Sequence, residues 1–298
     1  MKHLIFYILF LLPTTVVFPQ SVVLEAFGDS LTAGLLDYTN VTHQNELETV
    51  SHILSDLAMF KLTKDRSYLK KHEQNDLAWP QLLAEQLKTS EVNFEVRNYG
   101  VSGAKSETLY DEVVNAPPVS PRLQSQSIAF FFIGHNDLCH NSNTTENLAS
   151  EYSSNIDRAI EAWDKTHEGS RGFLVSVAEV QRIYPLLEGQ TWYESSRGRY
   201  RCNESWDKLF PYCPVFFRKH KEGTLENYLT PRVEALNKAL EDLTQKWRNK
   251  SSRNQFFHIQ MAPGSDFRKN FFAVDCYHLS NEGQAFVSDQ IFRAISWQ

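Results

Sequence analysis

The sequence predicts an α/β fold with one twisted sheet, on three observations. Short apolar, β-branched or aromatic runs recur at residues 22–27, 92–96, 128–133, 173–178 and 256–259, and helical patterns separate them. The run Phe130-Phe131-Phe132-Ile133 is continuous rather than alternating, as expected for a strand covered on both faces of a parallel sheet. Strands alternating with helices imply βαβ crossovers, and such a sheet gathers its ligand site at the carboxyl ends of the strands.

Lys2 and an apolar stretch over residues 4–12, broken by Pro13 and Thr14-Thr15, precede the first strand. Extended to Phe18 the stretch has 15 residues, short of the ~20 that span a bilayer as a helix. Residues 1–20 therefore read as a signal peptide, which implies a secreted or periplasmic location and no integral membrane span in the mature chain. Helices are predicted at 79–87, 106–114, 145–163, 225–247 and 282–295. The fourth carries Leu225, Leu229, Val233, Leu236, Leu240, Leu243 and Trp247 at spacings of 3 or 4, and Pro231 is expected to start or kink it.

Two connections are longer than such a fold needs. The first, 35–76, is charged. The second, 181–222, holds Tyr184, Trp192, Tyr193, Tyr200, Trp206, Phe210, Tyr212, Phe216 and Phe217. It is the candidate substrate wall, or else a stapled flap over one edge of the sheet. With no internal repeat and no linker rich in Pro, Gly or Ser, residues 21–298 are expected to form one domain carrying these inserts.

Composition sets the remaining bounds. With 42% hydrophobic and 22% charged residues over 298 positions the chain is an ordinary globular one. Thirty Lys+Arg against 36 Asp+Glu, a net charge of −6 and no long basic run exclude the usual nucleic-acid footprint. Four cysteines, Cys139, Cys202, Cys213 and Cys276, suit a disulfide framework in an exported chain, and none forms a C-x-x-C pair. Cys202 and Cys213 share one insert and are expected to pair, which leaves Cys139 with Cys276. Sequons stand at Asn40, Asn143, Asn203 and Asn249.

The chemistry lies in four blocks that end strands. Gly28-Asp29-Ser30-Leu31-Thr32-Ala33-Gly34 follows the first strand, Asn98-Tyr99-Gly100-Val101-Ser102-Gly103 the second, and Gly134-His135-Asn136-Asp137 the third. Asp275-Cys276-Tyr277-His278 lies near the C-terminus. This ordered set resembles the GDSL/SGNH hydrolases, and the contexts around Asn136 and His278 look most like the phospholipase B branch. The resemblance implies a flavodoxin-like α/β/α sandwich with a five-stranded parallel sheet. It implies Ser30 as nucleophile, His278 as base, Asp275 as its partner, and an oxyanion hole from Ser30, Gly103 and Asn136. No cofactor and no metal are implied. His135 stands where that branch commonly has glycine, which implies a narrower site.

Physical chemistry supports these roles independently. A serine hydroxyl is a weak nucleophile until a base within hydrogen-bond reach takes its proton. An acid three residues before the base can share one short loop with it and fix its tautomer. Glycine lets a backbone N–H approach closely, and an asparagine amide offers a further donor to a developing oxyanion. Three other readings compete. Ser102 sits in a near G-x-S-x-G elbow; Asp29 with the Gly134–Asp137 block loosely suggests a metallophosphoesterase; a binding protein on a silent hydrolase scaffold keeps the fold alone. The substrate expected is a phospholipid or lysophospholipid acyl ester, with carbohydrate acetyl ester as the alternative. His52, His72, His140, His167 and His220 read as solvated or structural.

Overall fold

Strand β1 (Gln20–Gly28) is central and pairs in parallel with β2 (Val92–Asn98) on one side and β3 (Ser127–Phe132) on the other. β4 (Arg171–Val175) follows β3, and β5 (Gln255–Ile259) closes the far edge. The order 2-1-3-4-5 is the flavodoxin-like arrangement. The computed structural model describes residues 20–35, 56, 59, 63, 67–70, 73, 76–89, 92–117, 119, 127–140, 144–195, 198–204, 206–207, 213–273 and 275–296. The signal-peptide reading, most of the 35–76 insert, and Asn40 and Asn143 lie outside them.

Helices cover both faces. α1 (Ser30–Ala33) and α2 (Trp79–Leu87) come first, then α3 (Ser106–Asn115), α4 (His135–His140), α5 (Thr145–Thr166), α6 (Leu225–Lys250) and α7 (Asn281–Ser296). α3, α5 and α6 pack on one face against Phe27, Phe131, Leu174 and Phe256. α2 and α7 pack on the other against Leu24, Phe130, Phe132 and Phe173. This division explains the unbroken aromatic run, because successive strand side chains point to opposite faces and each face has its own core. Neighbouring strands add stacked rings: Phe27–Phe131 at 5.4 Å, Phe130–Phe173 at 5.1 Å and Phe173–Phe257 at 5.2 Å between centroids. Each buried ring contributes roughly 1.5–3 kcal/mol of transfer free energy.

The stripe of α6 is buried as its spacing implies, and the helix runs through Pro231 rather than starting there. The insert adds an antiparallel hairpin, Thr191–Ser195 with Gly198–Arg201, which the sequence patterns did not suggest. No described helix is long and apolar enough to cross a membrane. His167 proves structural: it is buried, 3.0 Å from the carboxylate of Glu25, which also accepts from the Trp163 indole at 3.1 Å. His220 is half-buried and 3.5 Å from Glu188. The side chains of His52, His72 and His140 lie outside the described set.

Gly28 ends β1 directly before the Asp29-Ser30 turn. A Cβ at this position would lie 2.2 Å from the Phe132 carbonyl oxygen and 2.5 Å from Thr32 Oγ1. Hydrogen alone fits, so the glycine is required by close approach of β1 to β3. Gly28→Ala is expected to destabilise the chain by about 1–3 kcal/mol or more, the range of an overpacked core. A urea denaturation midpoint equal to that of the wild type would refute this account.

Candidate active site

Asp29 makes the turn from β1 into α1. Its extended backbone sets the side chain over the helix start, where Oδ1 accepts from the Leu31 N–H at 3.0 Å. Ser30 is thus the first residue of α1 and is 7% exposed. Two side chains brace the turn. Asn98, ending β2, donates to the Thr32 carbonyl at 2.6 Å and accepts from the Gly100 N–H at 3.0 Å. Gln284 on α7 donates to the Leu31 carbonyl at 3.1 Å and accepts from the Trp79 N–H at 3.0 Å. Sequence reasoning missed Gln284, since nothing local marks a buried helical glutamine as a brace.

His278 Nε2 lies 3.0 Å from Ser30 Oγ, across 248 positions of sequence. Its Nδ1 is 2.5 Å from Asp275 Oδ2. Asp275 Oδ1 accepts from the backbone N–H groups of Tyr277 and His278, each at 3.0 Å. Both side chains are almost wholly buried. A proton on Nδ1, facing the carboxylate, leaves Nε2 free to accept from the serine hydroxyl.

The third and second blocks meet beside this group. Asn136, in the first turn of α4, donates one amide hydrogen to the Ala104 carbonyl at 2.9 Å and lines the same pocket as Ser30. Its second amide hydrogen is not used by that bond. Gly103, next to Ala104, has φ of +79°, a conformation that glycine adopts without a Cβ penalty. Asp137 joins the two loops, accepting from the Ser106 N–H at 3.0 Å and the Ser106 hydroxyl at 2.6 Å. Ser102 is buried, with its hydroxyl 2.6 Å from a Glu73 carboxylate oxygen rather than on a described imidazole. Asp29 and His135 do meet, but as a hydrogen-bonded pair at 3.0 Å. Among the described residues no three His, Cys, Asp or Glu side chains converge as a metal-ligand set.

The disulfides correct the sequence expectation. Cys139 pairs with Cys213 and Cys202 with Cys276, rather than Cys202 with Cys213 and Cys139 with Cys276. The Cα separations are 4.9 and 5.5 Å, inside the usual window. Nearness in sequence misled because Cys202 and Cys213 lie under different loops. One end of the insert is fastened to the Asp275–His278 loop and the other to α4. Tyr277 fills the space between, its hydroxyl 3.1 Å from Cys213 Sγ and 3.5 Å from Cys139 Sγ. Burial, with Asp29 and Asp275 nearby, pushes its phenol well above the ordinary range. Trp206 donates its indole N–H to the Cys276 carbonyl at 3.0 Å.

The insert is stapled at both ends by these disulfides. Its buried aromatics Tyr184, Trp206, Phe216 and Phe217 sit in the core, while the side chains of Trp192, Tyr193, Tyr200, Phe210 and Tyr212 lie outside the described set. The apolar pocket opening on Ser30 is walled instead by Phe132, Met261, Phe267, Phe271, Phe272 and Phe286, with Val180 and Ile183 at the insert's start. Its cavity volume is about 40 Å³. His135 lines this pocket too, consistent with a narrow site.

A profile of the family described as GDSL-like Lipase/Acylhydrolase matches residues 24–291. No curated protein matches the chain. Solved structures that resemble it include the esterase EstA from Pseudoalteromonas sp., 10% identical, covering 92% of this chain and 97% of that one at a TM-score of 0.44. An extracellular lipase from Streptomyces rimosus is 12% identical, covers 92% and 99%, and scores 0.46. An acetyl xylan esterase, Axe2, from Geobacillus stearothermophilus is 12% identical, covers 94% and 97%, and scores 0.48.

The electrostatics of Asp137 are directly testable. Burial, reinforced by the Asp29 carboxylate and opposed by the Ser106 hydrogen bonds, raises its pKa to about 6. The unfolded chain loses this proton near pH ~4. Between these values the folded state holds the proton more tightly, so its stability falls as pH rises. In urea titrations the stability of the wild type relative to Asp137→Asn is expected to fall by about 2 kcal/mol from about pH 4 to about pH 6.5. A difference independent of pH would reject the raised acid.

Proposed function

Because this chain belongs to the GDSL-like lipase/acylhydrolase family, we propose that it is an exported serine esterase in which Ser30, His278 and Asp275 act as a triad on carboxylic esters. The observation that carries the reading is the 3.0 Å approach of His278 Nε2 to Ser30 Oγ, with Asp275 behind the imidazole. In this mechanism His278 takes the hydroxyl proton as Ser30 Oγ attacks the acyl carbon. The tetrahedral oxyanion is met by the free Asn136 amide hydrogen and the Gly103 and Ser30 N–H groups. His278, protonated and held by Asp275, then returns its proton to the leaving alcohol. Water, activated by the same imidazole, releases the acid from the acyl-serine.

Export is supported by the Lys2-led apolar segment and by the two disulfides. Residues 21–298 then act as one catalytic domain.

The aromatic pocket beside Ser30 supports an apolar acyl group, and the phospholipase B-like contexts of Asn136 and His278 favour a phospholipid or lysophospholipid. Carbohydrate acetyl ester is the second reading, favoured by the narrowness of the pocket: about 40 Å³ against ~300–1,000 Å³ for an ordinary ligand site. For the lipid reading, product mass spectrometry is expected to show more fatty acid from a mixed phospholipid extract than acetate from acetylated glycans. Acetate alone, with no lipid turnover, would move the assignment to the second reading. Replacing Ser30 by Ala is expected to abolish ester hydrolysis with little change in thermal midpoint. Ser102→Ala retains most activity. An active Ser30 variant beside a dead Ser102 variant would overturn the site.

A further inference from the structure

We propose that His135 is a positioning residue, tying the Asp29–Ser30 turn to the Asn136 loop through the Asp29 carboxylate; this rests on Ser30 being the nucleophile. The imidazole is 4% exposed and Asp29 is fully buried. The Ala178 N–H donates to His135 Nε2 at 3.2 Å, so that nitrogen carries the lone pair. The proton therefore sits on Nδ1 and is donated to Asp29 Oδ2 at 3.0 Å. With both ring nitrogens engaged by the protein, His135 has no lone pair to offer a substrate proton, which separates its role from that of His278.

The other oxygen of Asp29 holds the Leu31 N–H at 3.0 Å, the bond that starts α1 and aims Ser30. One carboxylate thus joins the nucleophile turn to the residue directly before Asn136, and the Ala178 bond ties both to the loop after β4. Without the His135 donor, Asp29 Oδ2 loses its charge-assisted partner in a buried setting, where an unmet carboxylate oxygen is costly. The carboxylate then reorients towards another donor and the turn loosens. A displacement of about 1 Å at a reacting atom costs on the order of 10²-fold in rate. A mere wall of the pocket, which His135 also lines, acts on substrate binding instead.

Three substitutions separate these roles. His135→Asn keeps a donor at the position of Nδ1 but cannot reach Ala178. His135→Gln keeps an acceptor at the position of Nε2 but cannot donate to Asp29. His135→Leu fills the space with neither. Steady-state hydrolysis of 4-nitrophenyl butyrate and the rate of Ser30 labelling by a fluorophosphonate, followed by peptide mass spectrometry, are the readouts.

The Gln and Leu variants are expected to lose ~10–100-fold in kcat and in labelling rate with KM within about 3-fold of wild type, whereas the Asn variant stays within about 3-fold in all. Wild-type activity in the Leu variant, a rise in KM alone, or an Asn variant as impaired as the Leu variant would overturn the proposal. Should the Gln and Leu variants fail to fold, the Asn variant decides: near-wild-type kcat supports the Asp29 route and a large loss rejects it. Failure of the probe to label Ser30 in the wild type would instead remove the site assignment on which the inference rests.

Discussion

The register between β1 and β3 sets the geometry of everything at the top of the sheet. Gly28 pairs with Phe132, so the two central strands end level and release their chains side by side. The missing side chain at Gly28 lets the Phe132 carbonyl approach, and Thr32 Oγ1 donates to that same carbonyl at 3.4 Å. Asp29-Ser30 and His135-Asn136 therefore emerge as neighbours from strands about a hundred residues apart. β2 joins at the same level, with the Val101 N–H donating to the Gly28 carbonyl at 2.8 Å. Parallel pairing of strands buried on both faces makes this register costly to change, since a one-residue slip would turn every aromatic ring towards the wrong core.

Above that platform the loops are fixed by buried carboxylates rather than by packing alone. Asp29 holds α1 and the His135 ring, Asp137 holds the start of α3, and Asp275 holds its own loop and the His278 ring. Each is almost removed from water, and each has donors on both oxygens. That arrangement limits the penalty of burial and makes the loops cooperative, because a carboxylate left half-satisfied is worse than an apolar residue in its place. The elevated pKa of Asp137 is the residue of that penalty.

The covalent links act on the same loops from outside. Cys276 is the one described non-glycine residue at positive φ, 61°, and its disulfide partner Cys202 anchors the Asp275–His278 loop to the insert. Cys213 anchors the other side of the insert to α4. The insert thus restrains two loops beside Ser30, and much of the apolar pocket wall comes from the segment between Met261 and α7. Phe271 stacks on Phe286 at 4.7 Å and Phe267 meets Phe272 edge-on at 6.0 Å, so the pocket wall is itself a packed aromatic cluster.

The sequence by itself determined the sheet, the helices over 79–87, 106–115, 145–166 and 225–250 to within a few residues, and the blocks that meet at its carboxyl ends. Those features are local: hydrophobic period, strand-ending glycines, and an aspartate three residues before a histidine are each written in a few consecutive positions. Only the tertiary structure decided the disulfide pairing, the braces at Gln284 and Asn98, the pairing of His135 with Asp29, and the source of the pocket wall. These depend on which distant residues share a few ångströms. Proximity along the chain favoured Cys202 with Cys213, but it carries no information about which way each thiol faces. Whether a ring points into a core or into a cavity, and which thiol faces which, follows from how crossovers and loops pack onto the finished sheet.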